Sequence, residues 1–481
     1  MLAHRATGRV LLLVFAMAYV AGYFVHPLYP GHDVTDLNRG WWTWTDQSRY
    51  RQQAEAMAAF DLNAQNYFYP IGYPLLGAAF IKWMPVNPFL IPNLLLMVGS
   101  AMAWWRLAQR WLTRRMALLV AAIFILTHRW LVAQTMVVPW NTIATQCALT
   151  AGLCIVLETT GKKALWWLAI LAALTSLVRP IDAVAFVPLL ALAISQVSGW
   201  RDRIRSGVVA AVVVAAPVLV VGCLNLRVLG QWQTVYEIIS VRVIGFFSYP
   251  VSLKFFWLFV DGGPLFGESE PALLFRYPWL FLVLPAAIFV LRRERARGAA
   301  LLAAVAVNVI LYVNYNDLLP SDLFRFTLIH YIAWTFPILF LLAAAACRYI
   351  ADSRWTQFGF GASAVLFIFC VGLQLEPRGL AVNPAPDGGV ILPATRPLLV
   401  HVSGLPMESV SGLRLEGRAL VEYSEYVAPY LPSDLRILLG TRTGGSLLTM
   451  KDTGFQMRPE ASKYVWSWRL SAERFRLPRA F

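Results

Sequence analysis

What most constrains this chain is the recurrence of apolar runs, each about as long as a bilayer's hydrocarbon core is thick, separated by short loops rich in Arg and Lys. A helix needs about 20 apolar residues to cross that core, and fewer when neighbouring helices shield its ends. Eleven spans are expected on this measure, near 9–26, 88–107, 115–133, 139–158, 163–178, 180–198, 207–225, 273–291, 299–316, 328–347 and 356–375. With 58% hydrophobic and only 14% charged residues, the chain carries more apolar surface than one soluble core uses. The expected fold is a polytopic α-helical membrane protein. A formal charge of +15 would suit a nucleic-acid binder, but the basic residues recur in short loops on alternate sides of the spans, which orientation explains better.

Placing the N-terminus in the cytoplasm puts five basic loops on the inside. They contain Arg106, Arg110, Arg114 and Arg115; Lys162 and Lys163; Arg201, Arg203 and Arg205; Arg292, Arg293, Arg295 and Arg297; and Arg348 with Arg354. Each satisfies the positive-inside rule. Outside then lie a first loop (27–87), a large loop (227–272), a short segment from Asn316 to Thr327 and the tail from about residue 376. Ala16-Met17-Ala18 has the small-residue spacing of a signal-peptidase site, yet the apolar run continues past it, so an uncleaved first span is expected. The fifth and sixth spans read equally well as one hairpin turning at Arg179 and Pro180. The five cysteines, Cys147, Cys154, Cys223, Cys347 and Cys370, lie in or beside apolar runs and read as small core residues. In the tail, residues 376–481, short alternating stretches at Gly389–Leu392, Leu398–Val402, Leu413–Val421 and Leu435–Leu439 predict a small β-rich domain.

Polar chemistry gathers at the outer ends, and the span centres are nearly empty of charge. The first outer loop holds a polar stretch, Trp41 to Gly77, that predicts a surface helix from about Thr45, with Asp46, Tyr50, Ala54, Met57 and Ala58 on one stripe. Tyr67 to Pro74 follows, expected as an aromatic belt that becomes a short apolar helix. A carboxylate just outside the bilayer, cations for a phosphate and an apolar groove are what an enzyme acting on a lipid-borne substrate needs. The cations available are Arg179 at the turn, Arg242, Lys254 and Arg276 in the large loop, and Arg325 with His330 in the short segment. Each has a plainer reading beside it. Asp46 fits a helix cap or dipole partner; Arg179 fits an interface anchor paired with Asp182; Arg325 and His330 fit interface anchors; Trp41, Trp42, Trp44, Tyr67, Tyr69 and Tyr73 fit a membrane belt as well as sugar-stacking rings.

The order of first span, outer loop with an early Asp and a following Tyr, then Tyr-Pro-x-Gly-Tyr-Pro entering the second span, resembles the GT-C class of membrane glycosyltransferases. That class includes protein O-mannosyltransferases and aminoarabinose transferases that use polyprenyl-phosphate sugars. The matching pieces are TDQSRYRQQAEAM, YFYPIGYPLLGAAF, SLVRPIDAV, PLFGESEPALLFRYPWL and LFRFTLIHYIAWTFP. They cover roughly residues 1–350, and where many members have Asp-Glu this chain has Asp46-Gln47.

The resemblance implies a bacterial inner-membrane enzyme that transfers one sugar, with inversion, from a polyprenyl-phosphate donor to a lipid, glycan or protein acceptor at the periplasmic face. Asp46 would be the base, Arg325 the first choice for the leaving phosphate, and Arg179, Arg242, Lys254, Arg276 and His330 further donor contacts. Tyr50, Gln47 and Tyr73 would support the site. No metal-ligand set is recognised, and Glu268 with Glu270 leaves a divalent metal open. A flippase of lipid-linked sugars, a polysaccharide polymerase or ligase, and a non-catalytic scaffold are the rival readings.

Overall fold

The computed structural model describes residues 2–26, 29–31, 40–43, 45–132, 136–247, 250–260, 272–315, 331–352, 365 and 367–369, and beyond these only strand segments between Leu373 and Trp468. The chain is mostly helical. In order, the helices used below are α1 (Leu2–Phe24), α2 (Thr45–Ala58), α3 (Gly72–Ala78), α4 (Leu90–Ala108), α5 (Arg114–Thr127), α6 (Thr142–Glu158), α7 (Gly161–Val178), α8 (Val187–Ser195), α9 (Trp200–Leu229), α10 (Val251–Phe259), α11 (Val283–Glu294), α12 (Ala296–Asn314) and α13 (Thr335–Asp352).

Among the described residues, four helices are long and apolar enough to cross a membrane: α4, α7, α9 and α12. Shorter apolar helices run over Leu12–Phe24, Thr142–Glu158, Pro180–Ser195 and Thr335–Tyr349. This is a helical membrane protein. Its exposed side chains agree, since α9 presents Val208, Val212, Leu219 and Val220 outward along a helix about 45 Å long. Eleven uniform spans are not what the described residues contain. The expected span at 115–133 is a 14-residue helix, α5, followed by one turn at Arg129–Val132. The one at 180–198 begins as a 3-10 helix over Pro180–Phe186, and the one at 273–291 is a single turn, a 3-10 segment from Pro278 and then α11. Proline causes two of these breaks, because it lacks the backbone donor and disfavours helix in the residue before it. The expected span at 356–375 falls largely outside the described residues.

The chain forms two compact units. The first comprises residues 1–246, 282–312 and 330–363. Within it α6 packs on α4, α9 and α8 on α7, α2 on α3, and α11 on α13. The Trp104 indole N–H donates to the Pro337 carbonyl at 2.9 Å, tying α4 to α13. Polar links join the basic loops at one end of this bundle: Arg110 to Glu294 at 3.1 Å, Arg106 to Glu158 at 3.9 Å, Lys162 to Asp202 at 2.8 Å, and the Arg297 guanidinium to the Leu157 carbonyl at 3.0 Å. These contacts bring the basic loops together on one end of the unit. The turn at Arg179 closes α7 at its other end.

The second unit comprises residues 247–281, 313–329 and 364–481. It holds α10 and short strands, including Gly389–Leu392, Leu398–Ser403, Leu413–Leu415 and Asp434–Leu439. Leu398–Ser403 pairs antiparallel with Asp434–Leu439, Gly389–Leu392 with Ser446–Met450, and Leu373–Pro377 with Tyr464–Trp468.

Candidate functional site

The helix α2 begins at Thr45, as its sequence predicts, and places Asp46 in its first turn, where the amide dipoles favour a carboxylate. Its buried face is more polar than an apolar stripe would be: Gln47, Tyr50, Arg51, Gln53 and Ala54 are all inside. The glutamines explain this. The Gln53 side chain accepts from the Tyr69 and Phe68 amides at 3.0 and 3.3 Å and donates to the Tyr69 carbonyl at 2.9 Å, so it substitutes for a missing strand partner along the Tyr67–Pro70 segment. Gln47 donates to the Pro139 carbonyl at 3.3 Å. Its role here is to hold α2 on the bundle.

The Tyr-Pro-x-Gly-Tyr-Pro motif docks α3 onto the C-terminal end of α7. A Cβ at Gly72 would lie 2.6 Å from the Leu177 carbonyl oxygen, and one at Gly77 would lie 2.5 Å from the Phe89 ring, so both positions require glycine for close approach. Tyr73 stacks on Phe89 at 4.6 Å and donates to the Asn93 side-chain oxygen at 3.1 Å. The expected aromatic belt is corrected here. Trp41, Trp42, Tyr67, Tyr69 and Tyr73 are buried in protein, because the loop folds back and rings pack ring on ring.

That folding back brings Asp46 into a cluster. Tyr69 donates its hydroxyl to Asp46 Oδ1. The Tyr69 ring lies 4.4 Å from that of Tyr50 and 4.7 Å from that of Tyr236. Tyr236 is held by a backbone bond to the Phe68 carbonyl at 3.0 Å and by the capping box of its helical turn, in which Glu237 pairs with Thr234. Burial, then the Asp46 charge, pushes the Tyr69 and Tyr50 hydroxyls well above their ordinary pKa; the Arg179 charge opposes the shift at Tyr50. The phenol therefore keeps its proton, and the carboxylate is the acceptor.

Arg179 is buried at the end of α7. Its Nη2 donates to the Tyr312 hydroxyl at 2.9 Å, its Nε lies 3.3 Å from Asp182 Oδ2, and its guanidinium carbon sits 5.2 and 5.6 Å from the Tyr312 and Tyr331 ring centres. Those two rings stack at 5.1 Å. The pairing with Asp182 expected from the sequence is present. Asp182 is fully buried and its Oδ1 accepts from Asn308 Nδ2 at 3.0 Å. Arg179 Nη1 is buried with no hydrogen-bond partner. A buried guanidinium donor left unengaged is costly unless something fills the position.

The other candidates lie elsewhere. Arg242 is exposed on a π-helical turn over Ile239–Ile244. In the second unit, Arg276 is half-buried on the single turn Leu273–Arg276. Lys254, buried on α10, donates to the Asn314 and Tyr315 carbonyls at 3.3 and 3.1 Å, which makes it a cap for the last turn of α12. Burial lowers its ammonium to about 8. Arg325 and His330 lie outside the described residues, as do Asp33, Asp36, Glu268 and Glu270. Asp61 is exposed and organises its loop by accepting from the Asn63 amide and the Asn66 side chain at 2.9 and 2.7 Å. Among the described residues, no three His, Cys, Asp or Glu side chains are grouped to hold a metal ion.

The sequence pattern marks Tyr69 as an interfacial ring, not as the partner of Asp46, and does not single out Tyr236, Asn308, Tyr312 or Tyr331. The Tyr69 signal was available in its motif, while Tyr312 and Tyr331 look like any aromatic at a helix end. No protein-family model, no curated protein and no solved structure matches the chain.

Proposed function

We propose that this protein is a membrane glycosyltransferase of GT-C type that moves one sugar from a polyprenyl-phosphate donor to a hydroxyl or amine acceptor. The observation that carries the reading is the pairing of two halves in one cluster. Asp46 is held by Tyr69, and Arg179, a buried guanidinium with an unengaged donor, is in electrostatic reach of Tyr50, which also feels Asp46. Asp46 takes the acceptor's proton as the acceptor attacks the anomeric carbon. The bond from that carbon to the phosphate oxygen breaks, and configuration inverts. Arg179 stabilises the charge that grows on the departing phosphate. Arg325, Arg276, Arg242 and His330 are further donor contacts in this proposal; the cap contacts of Lys254 support a structural role for it instead.

The same reading places the protein in a bacterial inner membrane, with the N-terminus in the cytoplasm and the cluster and the C-terminal tail in the periplasm. The test is to supply the purified protein with a panel of polyprenyl-phosphate sugars and candidate acceptors. Release of polyprenyl phosphate from one donor is the expected result. No consumption of any donor, with lipid-linked sugar still crossing liposomes that contain the protein, would replace the enzyme by a flippase.

A further inference from the structure

Helix α9 is covered far less than the other helices of membrane length. Half of the apolar stretch is buried in α4, α7 and α12, at 50% each, but only 11% of it in α9. Between α8 and α9 runs an open groove of about 420 Å³, with Leu190 and Ile194 along one wall and Gly207, Ala211, Ala215 and Leu219 along the other. Every side chain that lines it is aliphatic or glycine. Small residues on a membrane helix often let two backbones touch. Gly207 is not used that way, because a Cβ built on it would meet Ile194 Cδ1 at an ordinary 3.6 Å. The small residues here leave space between the helices.

The head of that groove is charged. Arg203 lies four residues before Gly207, on the same helical stripe. Its Nε donates to the Val197 carbonyl, just past the end of α8, at 2.7 Å. That bond bridges the two helices and positions a guanidinium that is still exposed. Trp200 is exposed beside it, with the Arg201 guanidinium carbon 5.7 Å from its ring centre, a pairing suited to the headgroup level of a bilayer. From Gly207 to Leu219 the groove follows α9 for about 18 Å, close to the roughly 15 Å that one leaflet contributes to the hydrocarbon core. A phosphate at Arg203 and a hydrocarbon chain along Gly207–Leu219 match the two parts of one lipid in one leaflet.

We infer that this groove holds one anionic diacyl phospholipid of the leaflet at the basic face, its phosphate on Arg203 and one acyl chain against α9. Charge selects a lipid over a second copy of the chain. Copies in one bilayer share an orientation, so packing α9 on α9 would bring Arg201, Arg203 and Arg205 of each against the other, whereas a phosphate neutralises them. Position selects a membrane phospholipid over the sugar donor proposed above. Lys162 pairs with Asp202 at 2.8 Å and joins the start of α9 to the start of α7, while Arg179 follows the other end of α7, 18 residues and about 27 Å further along. The groove does not depend on the glycosyltransferase reading.

The test is native mass spectrometry of the full chain, delipidated in a mild non-ionic detergent and titrated with phosphatidylglycerol, phosphatidylcholine or polyprenyl phosphate. One saturable phosphatidylglycerol per chain is expected, with phosphatidylcholine binding about tenfold more weakly. Arg203→Gln should weaken phosphatidylglycerol about tenfold. Ala211→Phe/Ala215→Phe fills the groove from two exposed positions and should abolish the saturable site. Arg205→Gln and Val212→Phe, exposed changes on α9 outside the groove lining, should titrate like the wild type. Thermal unfolding of each variant is measured alongside, and if the doubly filled protein does not fold, Arg203→Gln decides alone. Superimposable titrations of wild type, Arg203→Gln and the filled groove would overturn the inference. A dimer that Ala211→Phe/Ala215→Phe dissociates would replace the lipid by a second copy, and tighter binding of polyprenyl phosphate than of phosphatidylglycerol would replace the phospholipid by the donor's lipid.

Discussion

Two buried cations in this protein face opposite situations. Lys254 directs its ammonium at two backbone carbonyls at the end of α12, in a place where burial alone lowers its pKa to about 8. Arg179 is surrounded by Tyr312, Tyr331 and Asp182 and still keeps a buried donor with no partner. The first arrangement completes a helix. The second, with the Asp46 and Arg179 charges both acting on Tyr50, is incomplete without a further acceptor, and that contrast separates the two cations better than either residue's position in the sequence does.

If the contrast is sound, the largest effect belongs to Asp46. Asp46→Asn keeps size and a hydrogen-bonding partner for Tyr69 but removes the base, and sugar transfer should fall about 10²- to 10⁴-fold. Arg179→Gln should come next, with a loss of about 10²- to 10³-fold in turnover. That change also strands Asp182, which is fully buried, so stability should fall by about 3 kcal/mol or more. Arg179→Gln/Asp182→Asn should recover much of the stability and none of the turnover. A double variant that regains turnover would make Arg179 merely the partner of Asp182.

Smaller effects sharpen the boundary of the site. Gly72→Ala forces α3 away from the Leu177 carbonyl, and a drop of about 1–3 kcal/mol in stability with a concurrent loss of turnover is expected. Tyr69→Phe removes one hydrogen bond to a charged carboxylate, worth about 1.5–3 kcal/mol, and its transfer rate should fall roughly tenfold or more. Lys254 supplies the opposite control. Its folded pKa lies below the ordinary 10.5, so the unfolded chain binds more protons between about pH 8 and 10.5 and stability rises with pH across that window. Lys254→Met should flatten this rise, on the order of 3 kcal/mol at most, while leaving turnover near the wild-type value. Denaturation in detergent across pH 7–10.5 reads it directly.

How much of this was legible beforehand differs by element. The amphipathic pattern and the acidic first turn of Thr45-Asp46 are local features, and α2 begins where they place it. The short helix after Tyr67–Pro70 is local too, set by Pro74 and the glycines around it. Basic loops at one end follow from spacing alone, and the ion pairs of Arg106, Arg110 and Lys162 bear that out. The broken helices after Pro180 and Pro278 were less visible, because hydropathy sums over a window and does not register where backbone donors are missing.

Within the site, Arg179 and Asp182 are three residues apart and their pairing could be read directly. Tyr312 and Asn308 reach them from more than 120 residues away, and nothing local in α12 marks those two positions among its other side chains. Tyr69 was obscured by a real ambiguity, since interfacial and buried tyrosines have the same composition. Only the return of the loop onto α2, held by Gln53, makes it a partner of Asp46.

The most direct test of the central claim is single-turnover sugar transfer from a consumed polyprenyl-phosphate donor, measured together with donor binding, for wild type, Asp46→Asn and Lys254→Met. All three proteins are expected to bind donor, with Lys254→Met transferring at close to the wild-type rate and Asp46→Asn at least about 10²-fold more slowly. Equal rates for wild type and Asp46→Asn would contradict the claim.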